Sequence, residues 1–315
     1  MGKIAFIFPG QGAQAVGMGQ NLYNNSDAAH SVFQKANEVL GKNISSLCFE
    51  GPDEELKQTV NSQPAILTVS IAALEALREK RNIVPDFVAG HSLGEYSAMY
   101  AAGVLDLDNV LKAISMRATL MNEDATNTKG AMSAVLGLTS DKVEECLTAI
   151  SAHGVAQIAN YNSPEQIVIT GETDAIALSA TLLKDAGAKR VIPLAVSGAF
   201  HSRLMKNASD KFVDFVNELE INDAKIPVVT NVDAKPETAA ESFREKMPKQ
   251  ICSSVYWTQT IEYLASQGVD TFVEIGPAKV LAGLNKKILA DAVTYNIYDM
   301  ASLNETIEAI SMQRI

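Results

Sequence analysis

Cysteine is scarce in this chain of 315 residues: Cys48, Cys146 and Cys252 lie far apart. An odd, scattered set gives neither a disulfide framework nor a zinc-ligand spacing, so no metal site is expected and the thiols read as inert in a reducing cytoplasm. Glycine (19) and proline (10) are too few for a collagen-like or low-complexity chain. Positive charge is in deficit as well, with 26 Lys and Arg against 37 Asp and Glu and a net charge of −11. Gripping nucleic acid through its phosphates needs a basic face, so no nucleic-acid partner is expected, and an anionic substrate must be met by a few local cations. No stretch reaches the roughly 18 apolar residues of a bilayer-spanning helix. The apolar run Ile4 to Phe8 stops at Pro9, too short for a secretion signal, and the expected location is the cytoplasm, away from membranes.

What is present is an ordinary globular composition, 47% apolar and 20% charged, long enough to bury a sizeable core. Ile4 to Phe8 is solidly apolar and ends at Pro9-Gly10, the mark of a strand buried on both faces of a parallel sheet. Pro64 to Arg81 carries a helix-period stripe that should stop before Pro85. Asp86 to Gly90 reads as the next buried strand, and Leu93 to Ala102 as a helix closed by Gly103. Asp106 or Asp108 then caps a helix to about Glu123.

From residue 129 to 198 the order becomes strand, helix, strand, strand, helix, strand. The strands are placed at 131–138, 155–160, 166–170 and 190–196, and the helices at 141–151 and 174–186. That order is the ferredoxin-like one. A helix from Arg203, a strand at 226–230, helices near 240–250 and 258–266 and a strand at 271–275 return to the α/β pattern. The expected fold is therefore α/β: a discontinuous large domain with a parallel-sheet core, residues 1–128 and 199–315, interrupted by a smaller ferredoxin-like domain, 129–198. A cleft between two such units is a usual place for a ligand.

Gly90-His91-Ser92-Leu93-Gly94 fits G-x-S-x-G between a strand and a helix, where the motif has mechanical meaning. A sharp turn there pushes the Ser92 hydroxyl off the sheet edge, the helix N-terminus favours developing negative charge, and the Leu93 N–H is one oxyanion donor. A serine in that place also caps helices, the plainer reading. A nucleophilic serine needs a base, and the chain has four histidines. His91 adjoins Ser92 with its side chain diverging, and His30 and His153 lie on ordinary polar stretches. His201 follows a predicted strand through Ser197-Gly198-Ala199-Phe200 and precedes Ser202, a natural cap. A helix N-terminus disfavours imidazolium, which would keep His201 neutral and able to accept a proton.

Arg117 is the odd cation, with Ala113, Ile114, Leu120 and Met121 as its helical neighbours. It must either snorkel to water or meet an anion. Gly10 to Ala15 matches the alanine variant of a dinucleotide fingerprint, G-x-G-x-x-A, but the second strand with its terminal acid is missing, since Asp27 to Glu38 reads as helix.

FPGQGAQ at 8–14, GHSLGEY at 90–96, Arg117, GAFHS at 198–202 and EIGP at 274–277 together resemble the malonyl-CoA:acyl carrier protein transacylases of the acyltransferase family of fatty-acid and polyketide synthesis. The resemblance runs over essentially the whole chain. It implies a hydrolase-like large domain and a ping-pong transfer, in which Ser92 takes malonyl from coenzyme A and phosphopantetheinylated acyl carrier protein collects it, with no cofactor. It further implies His201 as base, oriented by a carbonyl oxygen of Gln250, and the N–H groups of Gln11 and Leu93 as oxyanion hole. Arg117 becomes the clamp for the malonyl carboxylate, Phe200 an aromatic ring that leaves little room for an α-methyl group, and the protein a monomer. A hydrolase or thioesterase on the same fold, a trans-acting acyltransferase of a polyketide line, and a non-enzymatic carrier-binding scaffold remain as alternatives. Lys189 with Arg190, or Lys286 with Lys287, are the basic pairs that could meet an acidic carrier.

Overall fold

The computed structural model describes residues 2–196 and 198–313; Ser197, in the loop ahead of His201, lies outside them. Among the described residues ten strands run in the order β1 (Lys3–Phe8), β2 (Phe87–Gly90), β3 (Gly130–Leu136), β4 (Ala156–Ser163), β5 (Gln166–Glu172), β6 (Arg190–Pro193), β7 (Val228–Val229), β8 (Pro236–Glu237), β9 (Val269–Ile275) and β10 (Val293–Ile297). The larger sheet has the order β10-β9-β1-β2-β7-β8, with every pairing parallel except that of β8.

The unbroken apolar reading of β1 follows from its position. Ile4, Phe6 and Phe8 point into one buried cluster while Ala5 and Ile7 point into another on the opposite face. A strand at the centre of a parallel sheet covered on both sides has no polar face to show. β8 and β10 escaped the sequence pattern for the complementary reason: β8 is two residues long, and β10 is an edge strand whose only fully buried residue is Ile297.

The helix expected from Pro64 begins a turn earlier, at Thr59, and ends at Lys80. Pro64 has no N–H for the Val60 carbonyl, which would strand a polar group in the interior. The Lys42 ammonium repairs the gap, donating to Val60 O at 3.0 Å and to Asn61 Oδ1 at 2.9 Å. By length and composition this helix could cross a bilayer, yet 89% of its apolar window is buried inside the fold. The next helices run Gly94–Ala102, closed by left-handed Gly103, and Leu107–Asn127, where Asp106 is the cap and accepts from the Asn109 N–H at 2.7 Å.

The smaller sheet is antiparallel, β4-β5-β3-β6, the strand order of a ferredoxin-like unit. One face packs through Val135, Ile158 and Ile169 on Val143 and Leu183 of helices Ser140–Ala149 and Thr173–Asp185. The other face sends Met132, Ala159 and Val168 into the main core. The chain is thus α/β, a largely parallel sheet joined to a separate antiparallel one. Backbone hydrogen bonds tie the antiparallel sheet to the segment ahead of helix Trp257–Ser266: Val255 N–H donates to Ala159 O at 2.8 Å, and Val255 O accepts from Tyr161 N–H at 2.9 Å.

Candidate active site

The elbow is as tight as G-x-S-x-G implies. Ser92 has φ 52, a left-handed conformation that costs a non-glycine residue free energy and is kept only where the surroundings hold it. A Cβ on Gly90 would lie 2.0 Å from the Gly94 carbonyl carbon, and one on Gly94 would lie 2.2 Å from Phe8 O. Both glycines are therefore required by the close approach of backbone to backbone.

His201, with φ 58, reaches the elbow from the loop before the Arg203–Met205 turn and helix Lys206–Glu218. Its Nε2 stands 2.7 Å from Ser92 Oγ. Its Nδ1 stands 3.0 Å from the main-chain carbonyl of Gln250 and 3.1 Å from that of Ser253. Two carbonyls can only accept, so Nδ1 carries the hydrogen and Nε2 is left to accept the serine proton. Burial, and then the Arg117 charge, push the imidazole pKa down to about 3. The ring is neutral, as the sequence suggested, but burial is the main cause and not the helix terminus. Ser202 does cap the following turn, accepting from the Leu204 N–H at 3.2 Å.

Arg117 neither snorkels nor forms an ordinary ion pair. It is wholly buried; Nη1 donates to Gln63 Oε1 at 2.6 Å, and Nη2 to Gln250 Oε1 at 3.0 Å and Ser92 Oγ at 3.2 Å. These three partners are neutral oxygens, and the guanidinium lies 5.6 Å from the Tyr96 ring centre. Its hydrogen-bond partners are neutral, and although the buried Glu95 carboxyl also feels its charge, the guanidinium remains able to pair with an anion that arrives from outside.

Ser92, His201 and Arg117 line one cavity of about 430 Å³ together with Gln11, Leu93 and Phe200. Leu93 sits at the N-cap of helix Gly94–Ala102. Met121, Met132, Leu194 and the nearly buried Phe200 ring supply an apolar wall. Of the residues singled out from the sequence, His201 and Arg117 reach the Ser92 hydroxyl, Gln11, Leu93 and Phe200 share its cavity, and Gln250 bonds His201 through its backbone and Arg117 and Ser92 O through its side chain. Among the described residues no cluster of three or more His, Cys, Asp or Glu side chains is placed to hold a metal ion.

Four contributors went unnoticed in the sequence. Ser253 acts through a main-chain carbonyl, which leaves no side-chain signal. Gln63 is a polar residue in a buried helix that ought to have looked out of place. Asn231 follows a parallel strand at its C-terminal end, a position that marks sites in open α/β sheets. Glu95, the last acid of GHSLGEY, is fully buried and receives the Asn231 N–H at 2.6 Å. His91 also lines the cavity, with its Nε2 2.8 Å from Asn162 Oδ1.

The acyl transferase domain family matches residues 5–304. The chain is 44% identical over 311 residues to a malonyl CoA-acyl carrier protein transacylase of Bacillus subtilis (strain 168), covering 98% of each protein. It is 47% identical over 292 residues to one of Staphylococcus aureus (strain MRSA252), covering 92% of this chain and 94% of the relative. Among solved structures it is similar to an acyl carrier protein S-malonyltransferase from Vibrio cholerae, with a TM-score of 0.94, 39% identity and coverage of 96% and 99%. It is also similar to a malonyl-transacylase in complex with a type II polyketide-synthase acyl carrier protein, with a TM-score of 0.95, 38% identity and coverage of 98% and 99%.

Proposed function

Because the chain belongs to the acyl transferase domain family, we propose that the cavity performs a two-step serine acyl transfer, with each of the converging side chains in a defined part. The protein is a malonyl-CoA:acyl carrier protein transacylase that supplies fatty-acid synthesis. The observation that carries the mechanism is the pair of distances from Ser92 Oγ, 2.7 Å to His201 Nε2 and 3.2 Å to Arg117 Nη2.

In the first step Ser92 Oγ attacks the malonyl thioester carbonyl while His201 Nε2 takes its proton. The oxyanion forms against the N–H groups of Gln11 and Leu93, and its collapse expels coenzyme A thiolate, which recovers the proton from His201. In the second step the phosphopantetheine thiol of acyl carrier protein gives its proton to His201 and attacks the malonyl-Ser92 ester. Ser92 leaves with that proton and the thioester is rebuilt on the carrier. Arg117 pairs with the free malonyl carboxylate in both steps, a match of planar fork to planar anion. Phe200 narrows the space beside the α-carbon. Every proton and electron pair is accounted for within these groups, so the cycle requires no cofactor.

Residues 129–198 are read as a ferredoxin-like domain inserted in a large domain of 1–128 and 199–315, supported by the confinement of β3 to β6 to that interval.

Intact-protein mass spectrometry with malonyl-CoA tests the mechanism, with and without phosphopantetheinylated carrier and with Ser92→Ala as control. Malonyl should accumulate on the wild type alone and move to the carrier. Release of coenzyme A at full rate without carrier, with no acyl-carrier formed, would identify a hydrolase instead.

A further inference from the structure

The elbow leaves the sheet at a point where the neighbouring strand stops. β2 and β7 pair only at Val88 with Val228 and Ala89 with Val229. Beyond them the β7 chain turns away, with Thr230 N–H donating to Lys235 O at 3.0 Å. The backbone of Gly90 and Ser92 should therefore lose its ladder partners where Ser92 adopts its strained conformation, and unpaired buried backbone groups are costly.

The side chain of Asn231 fills that gap. Its Oδ1 accepts from Ser92 N–H at 2.8 Å and its Nδ2 donates to Gly90 O at 2.6 Å. A carboxamide has the donor and acceptor of a peptide unit, so these two bonds extend the β2 ladder past the end of β7. Asn231 is itself fixed at both backbone groups, with N–H donating to Glu95 Oε2 at 2.6 Å and O accepting from Tyr256 N–H at 3.1 Å, and it is wholly buried. On the far side of Ser92 the Gln250 carboxamide donates to Ser92 O at 2.9 Å. One amide thus holds the N–H of the serine and a second holds its carbonyl.

We propose that Asn231 is a positioning residue for the transfer: its carboxamide substitutes for the missing strand and keeps Ser92 in the left-handed conformation that aims Oγ at His201. This rests on Ser92 being the nucleophile. Asn231 neither bonds the hydroxyl nor lines the cavity itself, so its effect travels through the Ser92 backbone and through Gln250, whose Nε2 donates to Asn231 Oδ1 at 3.4 Å. A displaced nucleophile loses rate and not ground-state binding.

The test compares wild type, Asn231→Asp and Asn231→Ala in labelling by a serine-directed fluorophosphonate, which reads Ser92 reactivity without a malonyl group. Asn231→Asp is isosteric and loses the donor to Gly90 O; Asn231→Ala loses both bonds. Labelling should slow by about 10- to 100-fold in each folded variant. Calorimetric affinity for malonyl-CoA, measured in the Ser92→Ala background with and without the second substitution, should change by less than about 3-fold. Labelling of either folded variant at the wild-type rate overturns the proposal, and so does an affinity loss that parallels the rate loss. Should Asn231→Ala fail to fold, Asn231→Asp alone decides. Failure of the underlying reading looks different: Ser92→Ala would then label as fast as wild type.

Discussion

Arg117 and Ser92 meet at 3.2 Å, guanidinium to hydroxyl, although the arginine has no exposure to solvent. A permanent cation beside a nucleophile selects for substrates that bring their own negative charge. Arg117→Ala should therefore lower kcat/KM for malonyl-CoA by about 10- to 150-fold, the scale of a lost charged hydrogen-bonded contact. Acetyl-CoA, which has no carboxylate to clamp, should be affected far less. An unchanged malonyl-over-acetyl preference would remove Arg117 from the clamp.

Gln250→Ala should cost less than Ser92→Ala or His201→Ala. The bond that orients the imidazole comes from the Gln250 main chain and is shared with Ser253, so both carbonyls survive the substitution. What disappears is the side-chain contact with Arg117 and with Ser92 O. The loss should be weighted towards KM for malonyl-CoA, and a loss equal to that of His201→Ala in a folded protein would refute this division of labour.

The pH profile should lack an inflection near neutrality from the base. His201 is displaced from an ordinary 6.5 to about 3 in the folded protein by burial and by the Arg117 charge. A depressed histidine pKa means that only the unfolded chain takes up this proton between those values. The stability associated with the neutral ring is complete above about 6.5 and is lost as pH falls towards 3. kcat/KM for malonyl-CoA should stay level through pH 6 while the fold persists, and an acid limb centred near 6.5 would contradict it.

Glu95 carries the opposite sign. Burial raises its pKa from 4.5 to about 7, against the pull of the Asn231 N–H and Arg117. The folded state then binds the proton more tightly, so the associated stability is full below about 4.5 and falls as pH rises to about 7. Glu274, which receives the Leu281 and Ala282 N–H groups, is raised to about 7 in the same way. Urea midpoints for wild type and Glu95→Gln isolate the first group, because Glu274 is common to both. The gap in favour of Glu95→Gln should widen from pH 4.5 to 7 and level off above it; a constant gap would refute the displaced pKa.

Lys42→Met should destabilise the fold by about 1–3 kcal/mol, because the Val60 carbonyl stranded by Pro64 would lose its charged donor. Urea denaturation reads the loss, and kcat should stay at the wild-type value.

Most of the fold was legible because its signals are local. β1 and β2 announced themselves as continuous apolar runs, and Gly103 and Asp106 marked helix ends. β10 was not legible because an edge strand has no two-sided burial to write into its residues. The site divides along the same line. Ser92 sits in a motif whose glycines are demanded by backbone contacts, and Arg117 stood out against apolar neighbours. Ser253 works through a carbonyl common to every residue type, and Asn231 through a contact 139 positions away along the chain. Nothing in a single sequence links those partners.

The tie between the antiparallel sheet and the segments that carry the base also sets a limit on motion. Val255 is sewn to Ala159 and Tyr161, and Ser253, two residues earlier, is one of the carbonyls that fix the imidazole. From the same strand, Gln157 grips His201 O at 3.4 Å and the Arg203 N–H at 3.2 Å. The antiparallel unit cannot swing outward as a door without dragging the base off its serine. Admission of a bulky thioester therefore falls to side chains at the cavity mouth, and any hinge opening would switch the catalyst off for as long as it lasted.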